Sequence, residues 1–133
     1  MSTLFSRIAS GEIPSYTIAE DERFFAFLDI NPLAKGHTLV VPKKEIDYIF
    51  NMDDPWYRDF FSFARNVAVA IEKVVDCKRI GIAVVGLEVP HAHIHLVPLN
   101  DIYDLDFKKP KLSFTPEEFT AIAQQISNQL SAI

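Results

Sequence analysis

Nine residues limit the possible folds of this chain more than any others. In "HAHIHLVPL", which opens at position 91, His91, His93 and His95 alternate with Ala92, Ile94 and Leu96, and the chain's only other histidine is His37. Successive side chains on a strand point to opposite faces. The stretch therefore predicts a strand whose Ala92, Ile94 and Leu96 enter a core while three imidazoles project from the other side. Read from Val89 as "VPHAHIHLVPL", this strand is separated from "RIGIAVV" only by "GLE", a spacing that predicts an antiparallel hairpin.

The remaining segments fit around such a sheet. "LFSRIAS" followed by Gly11 reads as a short helix closed by a glycine, and Pro14 stops its continuation. "SYTIAE" and "RFFAFLD" form a hairpin across the turn residues Asp21 and Glu22, "NPLAKG" is a loop, and "HTLVVP" is a third strand ended by Pro42. "KKEIDYIFNM" reads as an exposed connection or an irregular helix. Asp54 as cap and Pro55 in the first turn open the longest helix, with Phe60, Phe63, Ala64, Val67, Ile71 and Val74 along one face. That aromatic stripe has the spacing for packing against a sheet, so it implies neither flavin nor haem. After the loop "NDIYDLDFKKPK", the capping pattern of Thr115, Pro116 and Glu118 starts a last amphipathic helix. Hairpin-linked strands with a few inserted helices predict an α+β fold with a largely antiparallel sheet and flanking helices.

Composition narrows the function. A chain of 133 residues, 49% of them apolar, suits a single domain over 1–133 with one core. Its net charge of −5 opposes binding to nucleic acid polymers or anionic membranes. No apolar run approaches the roughly 20 residues that span a bilayer, and "MSTLFSRIAS" lacks a signal-peptide core, so the expected location is cytoplasmic. The single Cys77 has no intrachain disulfide partner and reads as a small buried residue.

Three imidazoles on one face would make an uneconomical core, since each needs a hydrogen-bond partner. A metal site could draw on His37 and part of the row. However, His91 and His95 would stand roughly 13 Å apart at the strand rise, too far for both to bind one ion at about 2.0–2.1 Å. The alternative is nucleophilic catalysis: a neutral imidazole attacks an electrophilic phosphorus while its neighbours donate hydrogen bonds to the oxygens. The central His93 is then the attacker. One of its ring nitrogens must hold a proton against an acceptor so that the other keeps its lone pair.

The motif "HAHIHLV" resembles the signature of the histidine-triad (HIT) family, and "IASGEIPSYTIAEDERFFAFLDINPLAKGHTLVVPKKE" resembles that family's N-terminal half. The resemblance runs from residue 3 to about residue 100. It implies a HIT-like α+β domain, a homodimer that joins two sheets, and hydrolysis of nucleoside 5'-phosphoramidates or related P–N and P–O nucleotide conjugates. In that chemistry His93 forms a covalent nucleotidyl-histidine, His95 contacts the phosphate and assists the leaving group, and His91 and His37 support the site. Phe5, Ile8, Phe27, Leu28 and Ile30 would surround the base and Asp29 would bind the ribose hydroxyls. No cofactor or metal is required, and the implied partner is a small purine nucleotide conjugate. Lys43 and Lys44 read as solvated charges outside the site.

Three departures from the family pattern qualify these expectations. The N-terminal Cys-x-x-Cys that binds zinc in many members is replaced by Thr3 and Ser6. The glycine-rich segment before the triad shrinks to "GLEV", which brings Glu88, and the Pro-Arg after it becomes "PLN". A nucleotide-sensing module with little turnover and a histidine-based metal site stand as the alternative functions.

Overall fold

The structure is a computed structural model that describes residues 2–131. A five-stranded antiparallel sheet carries three helices. The helices are α1 (Leu4–Ala9), α2 (Asp54–Val74) and α3 (Pro116–Ser131), and the strands are β1 (Thr17–Glu20), β2 (Phe24–Leu28), β3 (Thr38–Pro42), β4 (Arg79–Ala83) and β5 (Ile94–Leu99). The spatial order is β1-β2-β3-β5-β4, with every neighbouring pair antiparallel. This is the α+β architecture expected from the alternation of hairpins and helices. Among the described residues no helix is long and apolar enough to cross a membrane.

Strand periodicity sorts the central strands onto two faces. Phe24, Ala26 and Leu28 of β2, Val40 of β3, and Ile94 and Leu96 of β5 join Phe60, Ala64, Val67, Ala70 and Ile71 of α2 and Phe119, Ile122, Ala123 and Ile126 of α3 in the main core. The alternate residues Phe25, Phe27, Leu39 and Val41 pack on the other face against Phe5 and Ile8 of α1. Because both faces are covered, all five residues of β2 and of β3 are buried. Phe24 anchors α2: its ring stacks on Phe60 at 5.5 Å and meets Trp56 edge-on at 5.5 Å. The neighbouring Arg23 guanidinium lies over both Phe24 and Trp56 and pairs with Asp59 at 2.8 Å.

The structure corrects three local expectations. The histidine strand begins only at Ile94, so His91 and His93 precede it and His95 alone lies within it. Ala92 still enters the main core with Ile94 and Leu96, so the alternation survives beyond the paired segment. The β4–β5 connection spans residues 84–93 rather than a three-residue turn, which leaves residues 85–89 free to form a wall beside the histidines. Finally, Asp53 holds the cap position of α2, without a side-chain bond, and Asp54 is already helical. The capping box of α3 forms as the sequence suggests: Thr115 N–H donates to Glu118 at 2.8 Å, and Glu118 N–H donates to the Thr115 hydroxyl at 3.1 Å.

Candidate active site

The sheet face covered by α1 carries the histidines. His37, Leu39 and Val41 share that face by strand alternation, and Leu39 pairs with His95 in the β3–β5 register. The loop before β3 is closed by Asp29 N–H on the His37 carbonyl at 3.0 Å. It turns at Gly36, whose φ of +89° and whose hypothetical Cβ, 2.8 Å from Val75 Cγ2, both require glycine. His37 is thereby fixed at the strand entrance and 1% exposed.

Hydrogen-bond partners settle the protonation of each ring. Leu33 N–H donates to His37 Nδ1 at 3.0 Å, so the neutral ring carries its proton on Nε2. That Nε2–H lies 3.0 Å from His95 Nδ1, which must accept. His95 in turn keeps its own proton on Nε2, leaving a fixed N–H donor on a residue that lines the cavity. Burial pushes His37 down to about 3, helped by His95, and pushes His95 down to about 4, helped by His93. Both rings are neutral at pH 7 because a second proton would face an existing donor in a dry site.

His93 has the opposite arrangement. Its Nδ1–H donates to the His91 carbonyl at 2.8 Å, which leaves the Nε2 lone pair free on a side chain that lines the same cavity. Its ring lies 4.9 Å from His95 and 4.8 Å from Phe5. His91 is fully buried, with Nε2–H on the Pro42 carbonyl at 2.7 Å and Nδ1 against the Thr3 hydroxyl at 2.6 Å. Burial lowers its pKa as well, against the opposing bond to Pro42. The four histidines therefore divide the work: His93 offers a lone pair, His95 a donor, and His37 and His91 hold the two from behind.

A cavity of about 470 Å³ opens in front of His93 and His95, within the roughly 300–1,000 Å³ range of small-molecule sites. Phe5, Ile8, Phe27, Leu28, Asp29 and Ile30 all line it; His37 and His91 do not. Burial raises the pKa of Asp29, while the Asn31 N–H bond at 2.9 Å opposes that rise. Glu88 stands in the wall formed by residues 85–89. Sequence reasoning missed Ile13, Pro14, Asn31 and Phe107. The Phe107 ring lies 4.8 Å from His95. It arrives from a segment that looked like plain loop, and only its lone aromatic among lysines hinted at a role. Lys43 pairs with Glu20 at 2.9 Å and Lys44 lies over Trp56, so neither lysine points its charge at the cavity.

Asp29, His37 and His95 each bring a possible metal-binding atom within 4.8 Å of the others. As they stand, two of these atoms are joined by a hydrogen bond whose proton an ion would displace. His37 Nε2 and His95 Nδ1 are 3.0 Å apart with one hydrogen between them, whereas two nitrogens on one tetrahedral ion at about 2.0–2.1 Å stand roughly 3.3 Å apart and carry no proton there.

Comparison with known proteins identifies the family. The family profile described as "HIT domain" matches residues 10–102. An uncharacterized HIT-like protein of Borreliella burgdorferi is 35% identical over 132 residues, covering 93% of this chain and 95% of its own. The adenosine 5'-monophosphoramidase hnt1 of Schizosaccharomyces pombe is 33% identical over 133 residues, covering 98% and 99%. A crystal structure of a HIT-like protein from Bartonella henselae superposes with a TM-score of 0.82 at 26% identity, covering 96% of both chains. With the family profile spanning well over half its length and the histidines arranged as described, this chain belongs to the histidine-triad family.

Proposed function

We propose that this protein hydrolyses small nucleotide conjugates, nucleoside 5'-phosphoramidates foremost, through a covalent nucleotidyl group on His93. The observation that carries this reading is the free Nε2 lone pair of His93 in the cavity, held there by its Nδ1–H on the His91 carbonyl. Similarity to the monophosphoramidase of Schizosaccharomyces pombe supports the substrate class.

In this reading His93 Nε2 attacks the α-phosphorus of the nitrogen-protonated substrate. The new N–P bond forms as the old P–N bond breaks, and the departing nitrogen leaves as ammonia or an amine with its own protons. The positive charge on the nucleotidyl-imidazole is delocalised toward the Nδ1–H that the His91 carbonyl accepts. The Nε2–H of His95 donates to a non-bridging phosphate oxygen, where negative charge is held in the transition state. Water then attacks phosphorus, restores neutral His93 and releases the nucleoside monophosphate and a proton. Asp29 binds the ribose hydroxyls as a paired acceptor. Phe5, Ile8, Phe27, Leu28 and Ile30 enclose a purine. No metal enters these steps.

The same reading includes a homodimer. β4 is an edge strand with Ile82 53% exposed, and the adjoining Val85 and Leu87 are exposed too. An unpaired apolar edge of this kind favours pairing with a second sheet; sedimentation equilibrium tests it.

The decisive experiment for the chemistry is intact-mass analysis after brief exposure to adenosine 5'-phosphoramidate in the presence of a chelator. A transient gain of one adenylyl group, followed by AMP release, is expected from the native protein and not from His93→Ala. Tight nucleotide binding with no adduct and no turnover would instead establish a sensing module. The Glu88 carboxylate in the cavity wall favours that second reading, because it repels a phosphate.

A further inference from the structure

His91 is fully buried, lines no part of the cavity, and so touches no substrate. It nevertheless supplies the carbonyl that holds His93 Nδ1–H at 2.8 Å. What fixes His91 therefore fixes the nucleophile.

Two groups fix its ring. The Pro42 carbonyl can only accept, so the bond of 2.7 Å places a proton on His91 Nε2 and leaves Nδ1 as a lone pair. The group facing that lone pair is the Thr3 hydroxyl at 2.6 Å. The same oxygen accepts Ser6 N–H at 3.1 Å as the cap of α1, and a hydroxyl has only one hydrogen to give. One arrangement satisfies every partner: Ser6 N–H to Thr3 Oγ1, and Thr3 O–H to His91 Nδ1. Thr3 N–H also donates to Glu45 at 2.9 Å, tying the same residue to the connection after β3.

We propose that Thr3 is a positioning residue for the nucleophile: its hydroxyl proton fixes the His91 ring in one tautomer, which keeps the His91 carbonyl in place and the His93 lone pair directed into the cavity. The segment that opens α1 is thus coupled to the reacting atom as well as to the base pocket. This inference deepens the reading given under Proposed function and rests on it for its kinetic consequence.

Thr3→Asp and Thr3→Ser separate this role from helix capping. Aspartate caps a helix as well as threonine does, but as a carboxylate it accepts without donating. Serine does both. Nitrogen-15 spectra of the histidine rings in the full-length protein report the tautomers whether or not the protein turns over. We expect native protein and Thr3→Ser to share neutral His91 with hydrogen on Nε2 and His93 with hydrogen on Nδ1. In Thr3→Asp, His91 should take a proton on Nδ1 and the His93 tautomer should become mixed. kcat for adenosine 5'-phosphoramidate should then fall at least ~10-fold while KM changes little, the pattern of an interaction needed only to reach the transition state.

An unchanged His91 and His93 in Thr3→Asp would overturn the proposal, as would a Thr3→Ser protein as impaired as Thr3→Asp. A change confined to KM would assign Thr3 to capping alone and overturn it equally. Should the native protein form no adduct, the proposed reaction fails, and the ring spectra still decide whether Thr3 sets the tautomers.

Discussion

Lowering the pH from 7.5 to 5 should destabilise the fold by about 4 kcal/mol through His37 and His95 alone. In the unfolded chain each imidazole titrates near 6.5, whereas in the fold burial holds them at about 3 and about 4. At pH 5 an unfolded histidine gains about 2 kcal/mol from binding its proton, and the native rings gain almost nothing. Because the folded pKa values are depressed, the contribution is complete above pH 6.5 and drains away as the pH falls from 6.5 toward 4 and 3. The structural cause is that each second proton would have to be placed on an Nδ1 already facing a donor, Leu33 N–H for His37 and His37 Nε2–H for His95. His91, also lowered by burial, acts in the same direction, and Asp29, raised by burial, partly offsets the loss at the acid end. Urea unfolding at pH 7.5, 6.5, 5.5 and 5.0, with a constant m-value, measures the loss. In His37→Asn it should shrink to about 2 kcal/mol, since one titrating ring is gone. A native protein that loses less than about 1 kcal/mol, or a His37→Asn variant that loses as much as the native chain, would refute the buried neutral pair.

Three other substitutions test the site and its scaffold. Phe107→Ala opens His95 to water, so its pKa should rise by roughly one unit or more from about 4 in an NMR titration, at little cost in stability because Phe107 is 40% exposed. Gly36→Ala forces a left-handed backbone on alanine and pushes a methyl to 2.8 Å from Val75 Cγ2, which should destabilise the protein by about 2–4 kcal/mol in chemical denaturation and loosen the loop that fixes His37. Phe60→Ala, at a fully buried ring stacked on Phe24, should cost about 3–5 kcal/mol by the same measurement and leave the histidine tautomers unchanged.

Much of the site was legible in the sequence because strand geometry has period two. The alternation of residues 91–96 placed three histidines on one side and Ala92, Ile94 and Leu96 in the core without reference to any partner strand. The ten-residue β4–β5 connection was not legible, because "VPHAH" has the residue types of a strand and stops short of pairing for reasons of tertiary contact: Ala92 N–H is taken by the Ile46 carbonyl, outside the sheet. Phe107 was invisible for a related reason. Its segment is held by Leu112 N–H on the Pro32 carbonyl, a contact 80 residues away in sequence that no local pattern announces.

By itself the sequence determined which residues could carry chemistry: four histidines, an acid after β2 and an apolar N-terminal helix, all set by side-chain type and by alternation along the backbone. Only the tertiary structure decided which nitrogen of each histidine carries the hydrogen. A ring's tautomer depends on whether a carbonyl, an amide or a hydroxyl faces each nitrogen. Those partners, Leu33, Pro42, Thr3 and the His91 carbonyl, come from segments that meet only when the sheet has formed and α1 has closed over it.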